Sequence, residues 1–257
     1  MTGASLEHWL LGLALALPRM LGMFFIVPLL SPQLFPGIMS RAIVAGLCVP
    51  LIPPMIPHVP EVMSSHLALG MFLLKETCIG LLLGIAPATI FWAFEAVGVF
   101  IDNQRGATIS SSIDPVHGVD TSPLGALTQQ VFLMMFLAIG GIQLLLGMVY
   151  ESYSVWPIDT PWPVFSAKAL SAAFGMLDQI VRIGLLLAAP VVTAMIVTEI
   201  GLAVISVFVP QFQVFFLAMP IKSLLAFVFL ILYAKILVTS TQDQLDYIRS
   251  ITRFIMV

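Results

Sequence analysis

Nearly every long apolar stretch of this chain is interrupted by proline or charge, and that pattern excludes a set of ordinary lipid-facing spans. A bilayer span needs about 20 consecutive, mostly apolar residues. Residues 9–30 contain Pro18 and Arg19 near the middle, and 67–101 include Lys75, Glu76, Pro87 and Glu95. Residues 177–209 include Asp178, Arg182, Pro190 and Glu199, and 214–238 include Pro220, Lys222 and Lys235. The stretch 42–60 carries Pro50, Pro53, Pro54, Pro57 and Pro60, so its second half cannot be a regular helix. Residues 67–101 are long enough for two passes or one very long helix. Only 124–150, entered through Ser122 and Pro123, reads as a clean uninterrupted span.

Composition removes the soluble alternative. Of 257 residues, 60% are hydrophobic and 9% charged, against about 25% charged in soluble domains. Ten basic and thirteen acidic side chains cannot cover a water-soluble core of this size. A net charge of −3 without runs of like charge removes the electrostatic basis for nucleic-acid binding. Cys48 and Cys78 have no nearby Cys or His at a metal-ligand spacing and read as small buried hydrophobes. The first eight residues lack Lys and Arg, and no small-residue cleavage site follows, so no removable signal is expected. Trp156, Pro157, Pro161, Trp162 and Pro163 in the polar connection 151–168 suit an interfacial aromatic belt. The expectation is an all-α chain of kinked helices: one helical domain over 1–239 and a short polar tail over 240–257.

Ionisable groups within apolar helices cost roughly 2.5–3.5 kcal/mol each at mid-membrane. Arg19, Lys75, Glu76, Glu95, Arg182, Glu199, Lys222 and Lys235 can therefore form an ion or proton pathway, pack between subunits, or snorkel from segment ends. Glu76, Gly80 and Gly84 recur every four residues, which puts a carboxylate and two glycines on one helix face and permits close backbone approach. The packet Asp102, Asn103, Gln104 and Arg105 closes a long apolar stretch and can satisfy helix-end carbonyls and anchor a loop. Gly106 allows a turn there that other residues resist. No catalytic or metal-binding signature is present: the four histidines form no HExxH pair, Ser110 to Ser112 has no nucleophile-elbow context, and no phosphate-cradling loop occurs. The reading is a non-enzyme without a cofactor.

Several segments occur in a characteristic order: KETCIGLLLG (75–84), FWAFEAVGVFIDNQRGA (91–107), the Ser122–Pro123 and Gly140–Gly141 pairs, SYSVWP (152–157), AAP (188–190) and PQFQVFFLAMPIKS (210–223). In that combination the chain resembles the T subunit of the type III secretion export apparatus, the SctT/FliR/SpaR family. IDNQRGA and AMPIKS are more like the injectisome branch than the flagellar one. Gln213 stands where many relatives have Asn.

The resemblance implies helical hairpins like a fused R-type and S-type subunit. One copy of this chain would join R and S subunits in a ring in the bacterial inner membrane, with a U subunit around it. Unfolded effector and needle proteins would be the cargo. It also implies that 106–123 is a plug loop, in which Gly106, Ala107, Thr108, Ser110, Ser111, Ser112, Asp114 and Pro115 fill a pore. Glu76, Gly80, Gly84, Glu95, Arg182, Glu199 and Lys222 would then meet neighbouring subunits or the lumen more often than lipid, and Pro18, Pro87, Pro190 and Pro220 would bend helices. The alternatives are a small-solute or ion transporter with Glu95, Arg182 and Glu199 as a relay, and an assembly scaffold without a channel role.

Overall fold

The computed structural model describes residues 3–31, 35–62, 65–106, 122–160, 167–208 and 218–232, with isolated positions beyond; the rest, including the tail 240–257, lies outside the described residues. Among the described residues there is no strand. Seven helices among the described residues are longer than one turn: α1 (Gly3–Ile26), α2 (Gly37–Leu47), α3 (His66–Arg105), α4 (Pro123–Ala138), α5 (Gly141–Val155), α6 (Ala167–Phe208) and α7 (Ala218–Leu232). Leu6–Ile26, His66–Arg105 and Ile180–Phe208 are each long and apolar enough to cross a membrane. The pairs Gly37–Leu47 with Val49–His58 and Pro123–Ala138 with Gly141–Val155 count as spans only if broken ones are allowed.

Proline acts differently along the chain. After α2 the backbone proceeds as one-turn pieces, Val49–Leu51, Ile52–Met55, Ile56–His58 and Val59–Val62. Pro50, Pro53 and Pro57 sit in the first positions of their turns, where the missing N–H is not needed. By contrast α1, α3 and α6 run on through Pro18, Pro87 and Pro190. The 67–101 stretch is thus a single helix, the 40-residue α3. The span expected over 124–150 is broken instead: Gly140 takes φ +88 between α4 and α5, and its carbonyl accepts from Gln143 N at 3.2 Å. Left-handed backbone is open to glycine and strained for other residues. A uniformly apolar composition hid this break.

The described chain packs as two compact units, one formed within 1–88 and 140–174, the other within 89–139 and 175–245. In the first unit α1 lies against the one-turn pieces and the first part of α3, burying Met20, Met23, Met55, Ile79 and Leu145. Where helices lie in lipid there is little hydrophobic drive to join them, so close packing and polar bonds must do it. Glycine supplies the closeness. A Cβ on Gly22 would lie 2.6 Å from Thr77 O, one on Gly84 2.8 Å from Met23 O, and one on Gly80 would overlap the Arg19 carbonyl.

A polar node sits at the same crossing. Arg19 and Glu76 are fully buried, and Arg19 Nε donates to Glu76 Oε2 at 2.7 Å. The remaining guanidinium nitrogens donate to Ser152 Oγ at 2.9 Å and to the Trp156 carbonyl at 3.1 Å. Its Cζ lies 3.7 Å from the centre of the Tyr153 ring. Lys75 Nζ is 3.2 Å from Glu76 Oε1, an ion-pair distance without hydrogen-bond alignment, and donates to the carbonyls of Ile158 and Thr160 at 2.7 and 2.9 Å. A buried guanidinium survives only because charge and hydrogen bonds meet it on several sides.

The second unit has an aromatic centre. Phe94 stacks on Phe132 at 4.2 Å between ring centres, and Phe91 meets Phe132 edge-on at 4.8 Å. On α6, Gly184 lets the helix approach Ala96, which a Cβ would meet at 3.2 Å. Much of the rest of α6, including Val197, Ile200, Val204 and Val207, is exposed.

Two outcomes follow for thermal unfolding of the chain in detergent. Gly80→Ala should destabilise by about 3 kcal/mol, whereas Gly147→Ala, with open space around it, should stabilise by about 0.5–1 kcal/mol. Equal effects would contradict the packing described. Arg19→Met should cost about 3–5 kcal/mol, and adding Glu76→Leu should recover part of the loss, because no buried carboxylate is then left short of its partner.

Candidate functional site

The longest polar stretch of the sequence leaves α3 and re-enters at α4, and both of its roots are tied. α3 ends at Arg105, and Gly106 turns the chain with φ +79 while its N–H donates to the Asn103 carbonyl at 3.2 Å. α4 begins after Ser122, whose hydroxyl accepts from Gly125 N at 2.8 Å, with Pro123 at the first helical position.

Asp102 joins the two roots. Its Oδ2 accepts from Ser122 Oγ at 2.5 Å and from Leu124 N at 2.9 Å, and its Oδ1 accepts from Arg105 Nε at 2.6 Å. A carboxylate in the last turn of its own helix is badly placed against the helix dipole. Here it faces the positive N-terminus of α4, where free N–H groups need an acceptor, and Arg105 balances its charge at the end of α3. The approach is possible because Gly98 lies one turn earlier on the same face: a Cβ there would overlap the backbone of Leu124 and Gly125. Asp102 is fully buried.

Gln104 reaches a second group of charges. Lys222 Nζ donates to Glu199 Oε2 at 2.6 Å and to the Gln104 carbonyl at 3.2 Å, and Gln104 Nε2 is 3.4 Å from the same Glu199 oxygen. Asn103 is exposed. Of the residues expected in the plug loop only Gly106 is described; Ala107, Thr108, Ser110, Ser111, Ser112, Asp114 and Pro115 lie outside the described residues.

The other singled-out charges separate. Glu76 meets Arg19 and Lys75 of this same chain, with Gly80 and Gly84 on the α1 contact. Glu95 Oε2 accepts from Gln129 Nε2 at 2.8 Å. Arg182 is exposed on α6. Glu95 and Glu199 each have a partner other than the remaining relay residues, so the bonds formed do not make a Glu95–Arg182–Glu199 chain. Among the described residues, no three of His, Cys, Asp and Glu come together as a metal set.

Sequence reasoning passed over Ser152, Tyr153, Gln129 and Gly98. Ser152 and Tyr153 lie in SYSVWP, a segment that marked the resemblance without a role. Gly98 and Asp102 repeat the four-residue glycine–carboxylate spacing of Glu76 and Gly80, and that repeat was the available signal. The pairing of Arg19 with Glu76, 57 positions apart, had none.

Comparison with known proteins places these features in a family. Residues 10–248 match the family described as bacterial export proteins, family 1. The chain is 38% identical over 229 residues to the Yop proteins translocation protein T of Yersinia pestis, covering 89% of this chain and 87% of that protein. It is 30% identical to the surface presentation of antigens protein SpaR of Salmonella typhimurium, over 89% and 85% of the two chains. Similarity to the flagellar biosynthetic protein FliR of Bacillus subtilis is 29% over 63% of each. The family match over 10–248 takes in both the α1–α3 crossing and the Asp102 tie, and with the similarity to translocation protein T it shows that the chain belongs to bacterial export protein family 1.

Proposed function

We propose that this chain is an export-gate subunit of a type III secretion system, of the injectisome kind, embedded in the bacterial inner membrane. The observation that carries the reading is its similarity to translocation protein T along 89% of its length. The long apolar helices suit a multi-pass membrane protein. R, S and U export subunits are its partners, with one copy of this chain per gate, and unfolded secreted proteins are the cargo. Its role is to form and gate a conduit, and no catalysis is involved.

Within that reading, 106–123 is the plug. Small and hydroxylated side chains such as Ala107, Thr108 and Ser110 to Ser112 can fill a pore and withdraw at little desolvation cost. The Asp102 tie supports this assignment, because a plug needs roots that hold while its middle moves. Scaffold and gate differ in what the loop does once the complex is built.

Deleting residues 108–113 should leave assembly with the partner subunits intact and make the resting membrane permeable to small solutes. Normal assembly with unchanged permeability would overturn the plug assignment. If the chain were instead stable, homogeneous and transport-active alone in detergent, the export reading itself would fail.

A further inference from the structure

The geometry points to Lys222 as the residue that positions the root of the 107–121 segment, by holding the last turn of α3 onto α6 and α7. Its functional consequence rests on the plug reading above; the positioning itself does not.

A helix leaves its last four carbonyls without partners. At the end of α3, Gly106 N takes the Asn103 carbonyl and Lys222 Nζ takes that of Gln104 at 3.2 Å. A cation at a helix C-terminus also gains from the helix dipole. Lys222 is a buried residue, so its ammonium has exchanged water for these oxygens. Glu199 anchors it at 2.6 Å, and the same carboxylate oxygen lies 3.4 Å from Gln104 Nε2. One oxygen of α6 thereby gathers the side chain of Lys222 from α7 and the side chain of Gln104 from α3, while Lys222 also grips the α3 backbone.

The two ties at this root differ in character. Asp102 is buried and accepts three bonds, so both of its oxygens are engaged and it has no solvent to exchange with. Glu199 is half exposed, with 54% of its side chain accessible, and borders a cavity of about 520 Å³ that Lys222, Gln104 and Ser206 also line. Water can compete for Glu199 but not for Asp102. The Lys222 tie is therefore the adjustable one, and it connects the α3 end to the helices whose apolar faces are most exposed. It also makes Lys222→Met a usable probe: the variant keeps the unbranched stem, and the carboxylate it leaves is hydrated rather than buried.

The test is hydrogen exchange on the chain within its purified export complex, following 100–106 with 75–84 as the internal reference. Lys222→Met should make 100–106 exchange about tenfold faster, the loss of roughly one charge-assisted hydrogen bond, and leave 75–84 unchanged. Lys222→Arg, which keeps a cation and donors, should restore most of the protection. Glu199→Gln, which leaves the ammonium free to hold Gln104, should give a smaller rise of about threefold. Unchanged exchange at 100–106 in the Lys222→Met complex, or an equal rise in both segments, would overturn the proposal. Should Lys222→Met fail to assemble, Glu199→Gln alone decides: the modest local rise supports positioning, and wild-type exchange refutes it. Permeability of the same membranes separates the two ideas. Faster local exchange with a membrane that stays tight keeps the positioning role of Lys222 and counts against the plug.

Discussion

The fold depends on how closely two backbones can approach where the hydrophobic effect gives no preference for helix over lipid. Helix α3 answers this twice with the same device. Gly80 receives the backbone of Arg19, and Glu76, one turn before it, binds the side chain of Arg19. Gly98 receives the backbone of Leu124, and Asp102, one turn after it, binds the N–H of Leu124. In each case glycine makes the approach possible and a buried carboxylate fixes its register. Dispersion alone would let the helices slide by a turn at small cost, whereas a displaced carboxylate would be left without partners at a cost of several kcal/mol.

The same shortage of water governs the helix ends. Backbone carbonyls in an apolar setting must be satisfied by the protein itself. Tyr150 donates its hydroxyl to the Leu47 carbonyl at the end of α2, Arg19 reaches the Trp156 carbonyl just after α5, and Lys222 reaches that of Gln104. Prolines enter this arrangement as initiators of turns in 49–62, and α1, α3 and α6 tolerate them internally. Interruptions that argued against simple lipid-facing spans are thus, in part, the groups that finish broken helices.

The pattern of apolar segments made the all-α class legible, and the proline run correctly implied the loss of regular helix in the second half of 42–60. The face shared by Glu76, Gly80 and Gly84 was readable because helix periodicity is local. What could not be read was pairing across the chain. Nothing in the spacing joins Arg19 to Glu76, or Gln104 to Lys222 across 118 positions, since such contacts arise from tertiary packing. The break at Gly140 escaped for the opposite reason: composition is uniformly apolar across it, and a glycine in an apolar helix is compatible with both continuation and a left-handed turn.

Charge inside an apolar chain invites a transport reading, and the geometry shows why that inference is incomplete. A relay requires titratable groups within reach of one another or of a common water path. Here each carboxylate of α3 is met by a different partner: Glu76 by Arg19 of α1, Glu95 by Gln129 of α4, and Asp102 by the N-terminal turn of α4. Those bonds distribute charge along the helix to hold neighbours in place. Two carboxylates, Glu76 and Asp102, are inaccessible, while Glu199 is half exposed. If the chain must both keep its own helices in register and let one segment yield, the first task falls to the buried ties of Glu76 and Asp102. The second falls to the contact that water can reach.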